Sequence, residues 1–246
     1  LIEADKLTKI FPATKKAKEM RAVDGLSLRC EPGKIYGLLG ANGAGKTTTL
    51  RMLATILEPS SGTARVAGFD VVDEPEKVRE NVGFLSTATA LYGRLTAREM
   101  VEYFGRLHGL DEESLRKKID SLFETLGMNE FAGRRCEKLS TGMKQKVSIA
   151  RTLVHDPPVM IFDEPTIGLD VMAARTIVGF IRQCREQGKT VIFSTHVMSE
   201  VEKLCDRVGI IHRGRILSEG SLAELRARHG KQDLEDIFVE VVGDGQ

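Results

Sequence analysis

The chain has 246 residues, 41% of them apolar and 29% charged, with a formal net charge of +1. That size permits a sizeable core in one domain, or in one domain with an inserted subdomain. The near-neutral balance gives no electrostatic basis for binding bulk nucleic acid or an anionic membrane, and nucleic acid is not an expected partner.

Four cysteines, Cys30, Cys136, Cys184 and Cys205, form no C-x-x-C pair and no zinc spacing. They read as reduced, mostly buried thiols of a cytosolic protein. No stretch approaches the ~18 apolar residues that span a bilayer. Residues 1–12 carry Glu3, Asp5, Lys6 and Lys9, unlike a signal peptide. If the protein acts at a membrane, the membrane part is expected on a different chain.

Short apolar runs alternate with helical patterns, which predicts an α/β fold with a largely parallel sheet. Residues 34–40 (KIYGLLG) read as a buried strand, followed by a glycine-rich turn and a helix over 46–57. The run Glu58-Pro59-Ser60-Ser61-Gly62 stops that helix. Short strands are predicted at 63–66 and 69–72 around Gly68, and another at 82–85.

From 87 to 151 the periodicity is helical. Thr96 and Glu99 form a capping box for a helix with Met100, Val101, Phe104 and Leu107 on one face. A second helix carries Leu115, Ile119, Leu122, Phe123 and Leu126, and a third runs from 140–142 to His155. Strands return at 159–162 and 190–194, with a helix over 173–187 between them. Residues 208–212 and 215–217 flank Arg213-Gly214 as a hairpin. Ser221 and Glu224 cap a last helix ending near Gly230, leaving 231–246 as a C-terminal tail.

Gly40-Ala41-Asn42-Gly43-Ala44-Gly45-Lys46-Thr47 matches G-x-x-x-x-G-K-[ST] between a predicted strand and a predicted helix. Glycines let the backbone wrap a phosphate closely, and a helix N-terminus favours its charge. Lys46 can reach the β- and γ-phosphates, the Thr47 hydroxyl can ligate Mg²⁺, and Thr48 can reach the α-phosphate. The motif alone indicates a binder of nucleotide phosphates. Val159-Met160-Ile161-Phe162-Asp163-Glu164 is a buried strand ending in two carboxylates. Asp163 suits Mg²⁺, and Glu164 can polarise a water attacking the γ-phosphate. His196 lies just past another strand end, where ligand groups gather in open α/β sheets.

Taken together, these motifs resemble those of the ATP-binding cassette (ABC) ATPases. Leu139-Ser140-Thr141-Gly142-Met143 resembles the family signature at a helix start, and Gly168-Leu169-Asp170 resembles the loop that crosses the family's dimer interface. Phe11 falls where the family places an aromatic on adenine. The resemblance runs from Phe11 to His196. It implies a P-loop NTPase core of ABC type with an inserted helical subdomain and an antiparallel β subdomain. It also implies ATP and Mg²⁺ as ligands, and Lys46, Glu164 and His196 as catalytic groups. The implied assembly is a homodimer or paired ATPase subunits. There residues 40–48 of one chain face Ser140, Thr141 and Gly142 of the other across two ATP molecules.

The implied division gives residues 1–86 and 152–230 to the nucleotide-binding core and 87–151 to the helical subdomain. Three positions depart from the family pattern. Thr87 stands where a Gln normally contacts Mg²⁺ or water, Thr141 replaces a Gly, and Met143 replaces a Gln. These variants, together with Ala90-Leu91-Tyr92 and the C-terminal segment 233–238, are similar to ATPase subunits of two-component bacterial exporters of the sodium-extrusion (NatA-like) and drug-extrusion types. That resemblance implies an integral-membrane permease on a separate chain and a place on the cytoplasmic face of the cell membrane. The alternative is a non-transport ABC ATPase of translation or of DNA or iron–sulfur maintenance. A single cassette with only about 65 residues between its halves weighs against it. A non-catalytic nucleotide-binding regulator is weighed against by Lys46, Asp163, Glu164 and His196.

Overall fold

A computed structural model describes residues 1–13, 18–86 and 90–243. Its strands are β1 (Ile2–Phe11), β2 (Met20–Cys30), β3 (Ile35–Leu39), β4 (Ser61–Val66), β5 (Phe69–Asp70), β6 (Val82–Ser86), β7 (Val159–Asp163), β8 (Thr190–Thr195), β9 (Arg207–His212) and β10 (Arg215–Gly220). Its helices are α1 (Lys46–Leu53), α2 (Pro75–Asn81), α3 (Ala97–Leu107), α4 (Glu112–Thr125), α5 (Thr141–Leu153), α6 (Val171–Glu186), α7 (Met198–Leu204), α8 (Leu222–His229) and α9 (Leu234–Gly243).

Two sheets organise the molecule. The larger has the order β10-β9-β3-β8-β7-β6 and is parallel except for the β9–β10 hairpin. β3, β7 and β8 are buried at every position, which is why each reads as a largely apolar run. The smaller sheet, β2-β1-β4-β5, is antiparallel. Residues of α1, including Leu50 and Leu53, pack between the two sheets. Ile177, Phe180 and Ile181 of α6 cover the other face of the parallel sheet.

Residues 91–154 bury a core of their own. Met100 and Val101 of α3, Ile119 and Phe123 of α4, and Val147 and Ala150 of α5 form it. The Thr96–Glu99 capping box is present, with Thr96 N donating to Glu99 Oε2 at 2.8 Å and Glu99 N donating to Thr96 Oγ1 at 3.2 Å. Leu107, expected on the buried face of α3, is 62% exposed because it sits in the final turn, at the rim of that core.

The structure differs from the sequence reading at several elements. The helix after the glycine-rich turn ends at Leu53, and Thr55 then takes a left-handed φ of 58°. The antiparallel subdomain was expected, but β1 was not located in it, because register shifts along β1 break the period-2 pattern that marks a strand. α2 and α7 have only seven residues each, too few for a periodic signal. Residues 234–243 are a helix and not a tail. Leu234, Ile237 and Val241 of α9 pack with Leu225 of α8 and Val208 of β9.

The expected place on the cytoplasmic face of a membrane is corrected. Among the described residues no helix is long and apolar enough to cross a membrane. The longest, α6, has 16 residues and carries Arg175, Arg182 and Arg185. At 1.5 Å per residue it spans about 24 Å, short of a ~30 Å hydrocarbon core. The assignment to a membrane face is therefore withdrawn.

Candidate functional site

Parallel pairing brings strand ends to one edge of the sheet, and register then decides which residues meet. Leu39 pairs with Thr195, and Asp163 pairs with Ser194 on one side and Ser86 on the other. The turn after β3, the carboxylates at the end of β7 and the imidazole after β8 therefore converge on one site. Thr87 lies outside the described residues.

The turn 40–45 is built by backbone geometry. Gly45 is the N-cap of α1 with φ 108°, and a Cβ there would come within 2.5 Å of the Ala22 carbonyl oxygen. A glycine cap leaves the first N–H groups of α1 without a side-chain acceptor, and no acidic residue lies in that first turn. Both features suit an anion at the helix start. The β9–β10 turn braces this loop. Arg213 and Gly214 both take positive φ, 46° and 80°, as a tight hairpin requires. Gly214 N donates to Ala44 O at 2.8 Å, and Asp24 N donates to Gly214 O at 2.9 Å.

Lys46 is 3% exposed, and its Nζ donates to Gly40 O at 2.7 Å and Ala41 O at 3.1 Å. The same Nζ lies 2.9 Å from Glu164 Oε1, while His196 Nδ1 lies 3.4 Å from Glu164 Oε2. Glu164 thus stands between an ammonium and an imidazole, with its side chain 16% exposed. Its backbone φ is 47°, a left-handed conformation costing a non-glycine residue about 1 kcal/mol.

Asp163 is 5% exposed, and its Oδ1 accepts from Thr47 Oγ1 and Ser194 Oγ, both at 2.9 Å. Ser194 Oγ also accepts from Glu164 N at 3.0 Å. Ser194 escaped sequence reasoning because a serine near a strand end carries no local signal, and only the pairing shows what it faces. Thr195 was missed for the same reason. Its hydroxyl donates to Glu200 Oε2 at 2.8 Å and accepts from Val197 N at 3.0 Å, tying down the turn that carries His196.

The remaining expected residues lie apart from this cluster. Ser140 is the N-cap of α5, accepting from Met143 N at 3.3 Å, and Ser140 and Thr141 are exposed. No hydrogen bond or ion pair among the described residues links Ser140, Thr141 or Gly142 to the 40–48 turn. Phe11 ends β1 opposite Met20 and is half-buried, with Lys9 Nζ 5.6 Å from its ring centroid. All four cysteines are free, and burial pushes the Cys30 and Cys184 thiols up to about 12, away from nucleophilic use.

Residues 23–167 match the ABC transporter family. The chain is 45% identical to the "ABC transporter ATP-binding protein NatA" of Bacillus subtilis (strain 168), over 91% of this chain and 92% of that protein. It is 37% identical to the "Daunorubicin/doxorubicin resistance ATP-binding protein DrrA" of Streptomyces peucetius, over 95% of this chain and 69% of the relative. It also aligns at 34% identity with the "Probable multidrug ABC transporter ATP-binding protein YbhF" of Escherichia coli (strain K12), where it spans only 42% of the relative's length.

Among solved structures, an ATP-binding subunit of an ABC transporter superposes with a TM-score of 0.87 at 27% identity, covering 98% of this chain and 99% of that one. A dimeric ATP-binding cassette in a post-hydrolysis state with ADP and Pi gives a TM-score of 0.79 at 25% identity, covering 90% of this chain and 98% of that one. The fold is that of a P-loop ABC ATPase with a helical subdomain and separate antiparallel and mixed sheets. With the family matched across more than half its length, this chain belongs to the ABC transporter family as an ATP-binding ATPase domain.

Proposed function

We propose that the chain is the ATP-hydrolysing subunit of a two-component bacterial exporter. The observation that carries this reading is the 45% identity extending over nearly the full length of both this chain and NatA. Relatives named for daunorubicin and linearmycin resistance and for Nod factor export support the exporter class. Sodium or drug extrusion is the cargo class these resemblances favour, with selection of the cargo made by the permease. We take 1–86 and 152–230 as the nucleotide-binding core and 87–151 as the helical subdomain.

In this reading residues 40–48 and Lys46 hold the phosphates of ATP, and Phe11 stacks on adenine. The Thr47 hydroxyl and Asp163 carboxylate are hard oxygen donors whose oxygens lie 2.9 Å apart, a donor set suited to Mg²⁺. Mg²⁺ in such sites is held by one or two protein oxygens with phosphates and water, so a larger cluster of protein ligands is not needed. When bound, the ion supplies charge neutralisation at the β- and γ-phosphates. A carboxylate oxygen of Glu164 accepts the proton of the attacking water, and Lys46 moves from that carboxylate to phosphate. His196 donates an N–H towards the γ-phosphate.

Ser140, Thr141 and Gly142 are read as serving the ATP of a second subunit. Their exposure at the start of α5 supports this, as do the exposed apolar side chains of Ile167, Val171 and Met172 beside Asp170. Affinity capture of the native complex tests the exporter reading. A multi-span membrane protein is expected to co-purify, whereas recovery of only ribosomes or nucleic acid overturns the reading.

A further inference from the structure

Ser194 is fully buried in β8, between the two strands that carry the site's acidic and phosphate-binding ends. Its one hydroxyl makes two hydrogen bonds. The proton goes to Asp163 Oδ1 at 2.9 Å, and the oxygen accepts Glu164 N–H at 3.0 Å. A hydroxyl has one proton to give and lone pairs to receive, so this group alone can serve both neighbours.

Both neighbours need holding. Asp163 shares the same Oδ1 with Thr47, so the direction of that carboxylate depends on two donors. Thr47 lies in the first turn of α1, whereas Ser194 is paired on both sides, with Leu38 of β3 and Asp163 of β7. Glu164 adopts a left-handed φ of 47° that its residue type disfavours, and the Ser194 oxygen receives its N–H. His196 follows two residues later, so one strand sets the placement of three groups.

We propose that Ser194 is a positioning residue, whose hydroxyl aims the Asp163 carboxylate and locks the left-handed turn at Glu164 so that both carboxylates face the nucleotide together. The proposal rests on the roles given above to Asp163 and Glu164. It predicts damage to the chemical step and to metal binding, with nucleotide binding spared, because Lys46 and the 40–45 backbone make no bond to Ser194.

The test compares the full chain with Ser194→Ala, Ser194→Thr and Ser194→Cys, the last retaining a weak donor of similar volume should alanine fail to fold. ATP turnover and KM are measured, and Mn²⁺ affinity is read by electron paramagnetic resonance with AMP-PNP present. Ser194→Ala is expected to lower kcat by about 10-fold or more and weaken Mn²⁺ by a similar factor, with KM for ATP within about 2-fold. Ser194→Thr is expected to restore both within about 3-fold, and Ser194→Cys to fall between. Unchanged kcat and Mn²⁺ affinity in Ser194→Ala, or a threonine no better than alanine, overturns the proposal. If the wild type turns over no ATP while Ser194→Ala still weakens Mn²⁺, the ATPase reading falls and the positioning role stands.

Discussion

The edge of the parallel sheet and the start of α5 satisfy their polar groups in opposite ways. At the sheet edge the polar groups are buried and mutually satisfied: Lys46, Asp163, Glu164 and Ser194 bind one another through bonds of 2.9–3.0 Å. At the start of α5, Ser140 and Thr141 face outward, and the Ser140 hydroxyl accepts from Met143 N as the helix's own cap. A buried network fixes geometry within one chain, while an exposed helix start has first-turn N–H groups left to offer to something else. The difference suits a site whose halves come from two chains.

The sharpest way to break this comparison is at Glu164. Glu164→Gln keeps the size and the backbone but removes the carboxylate. We expect turnover to fall by about 100-fold or more, with ATP-bound dimers accumulating in size-exclusion chromatography. A variant that hydrolyses normally and stays monomeric with ATP would remove Glu164 as the base.

A smaller effect tests how the two regions are joined. His155, just beyond α5, donates a hydrogen bond from Nε2 to Val82 O at 3.2 Å and stacks on His108 with centroids 3.6 Å apart. Burial, with added repulsion from His108, Lys118 and Lys189, lowers its pKa from 6.5 to about 4. The unfolded chain therefore binds more protons between those values. Stability held by neutral His155 is complete above pH 6.5 and is lost as pH falls towards 4. The loss is at most about 2 kcal/mol after allowing for partial solvation. Thermal denaturation of His155→Phe across that window is expected to show a flatter pH dependence than the wild type.

The smallest expected effect is at Ser140. Ser140→Ala removes the cap of α5, at about 1 kcal/mol, and lowers Tm by roughly 2–4 °C. If the α5 start serves a second subunit, nucleotide affinity of the isolated chain is unchanged while ATP-driven dimerisation weakens. A parallel loss of affinity in the monomer would merge the two regions into one site.

Legibility from sequence followed the same division. The 40–47 turn, the Asp163-Glu164 strand end and the helix caps at Thr96 and Ser221 were readable, because each depends on residues close together in the chain. Ser194 was not, because its meaning comes from pairing with Asp163 across 31 positions. The left-handed backbone at Glu164 was equally hidden, since glutamate carries no signal for positive φ. β1 was masked by its bulges. α9 is a different failure: Leu234, Ile237, Phe238 and Val241 recur at helical spacing, and that signal was present but read as a tail.

The brace on the phosphate turn also sets an order of assembly. Among the described residues β3 pairs with β8 and β9, and Ala44 is held by Gly214, so these partners of the early segment lie more than 150 residues later. A chain emerging from the ribosome has its phosphate-binding motif exposed long before anything can hold it in shape. The shape of the 40–45 turn is therefore a property of the finished sheet and not of the motif.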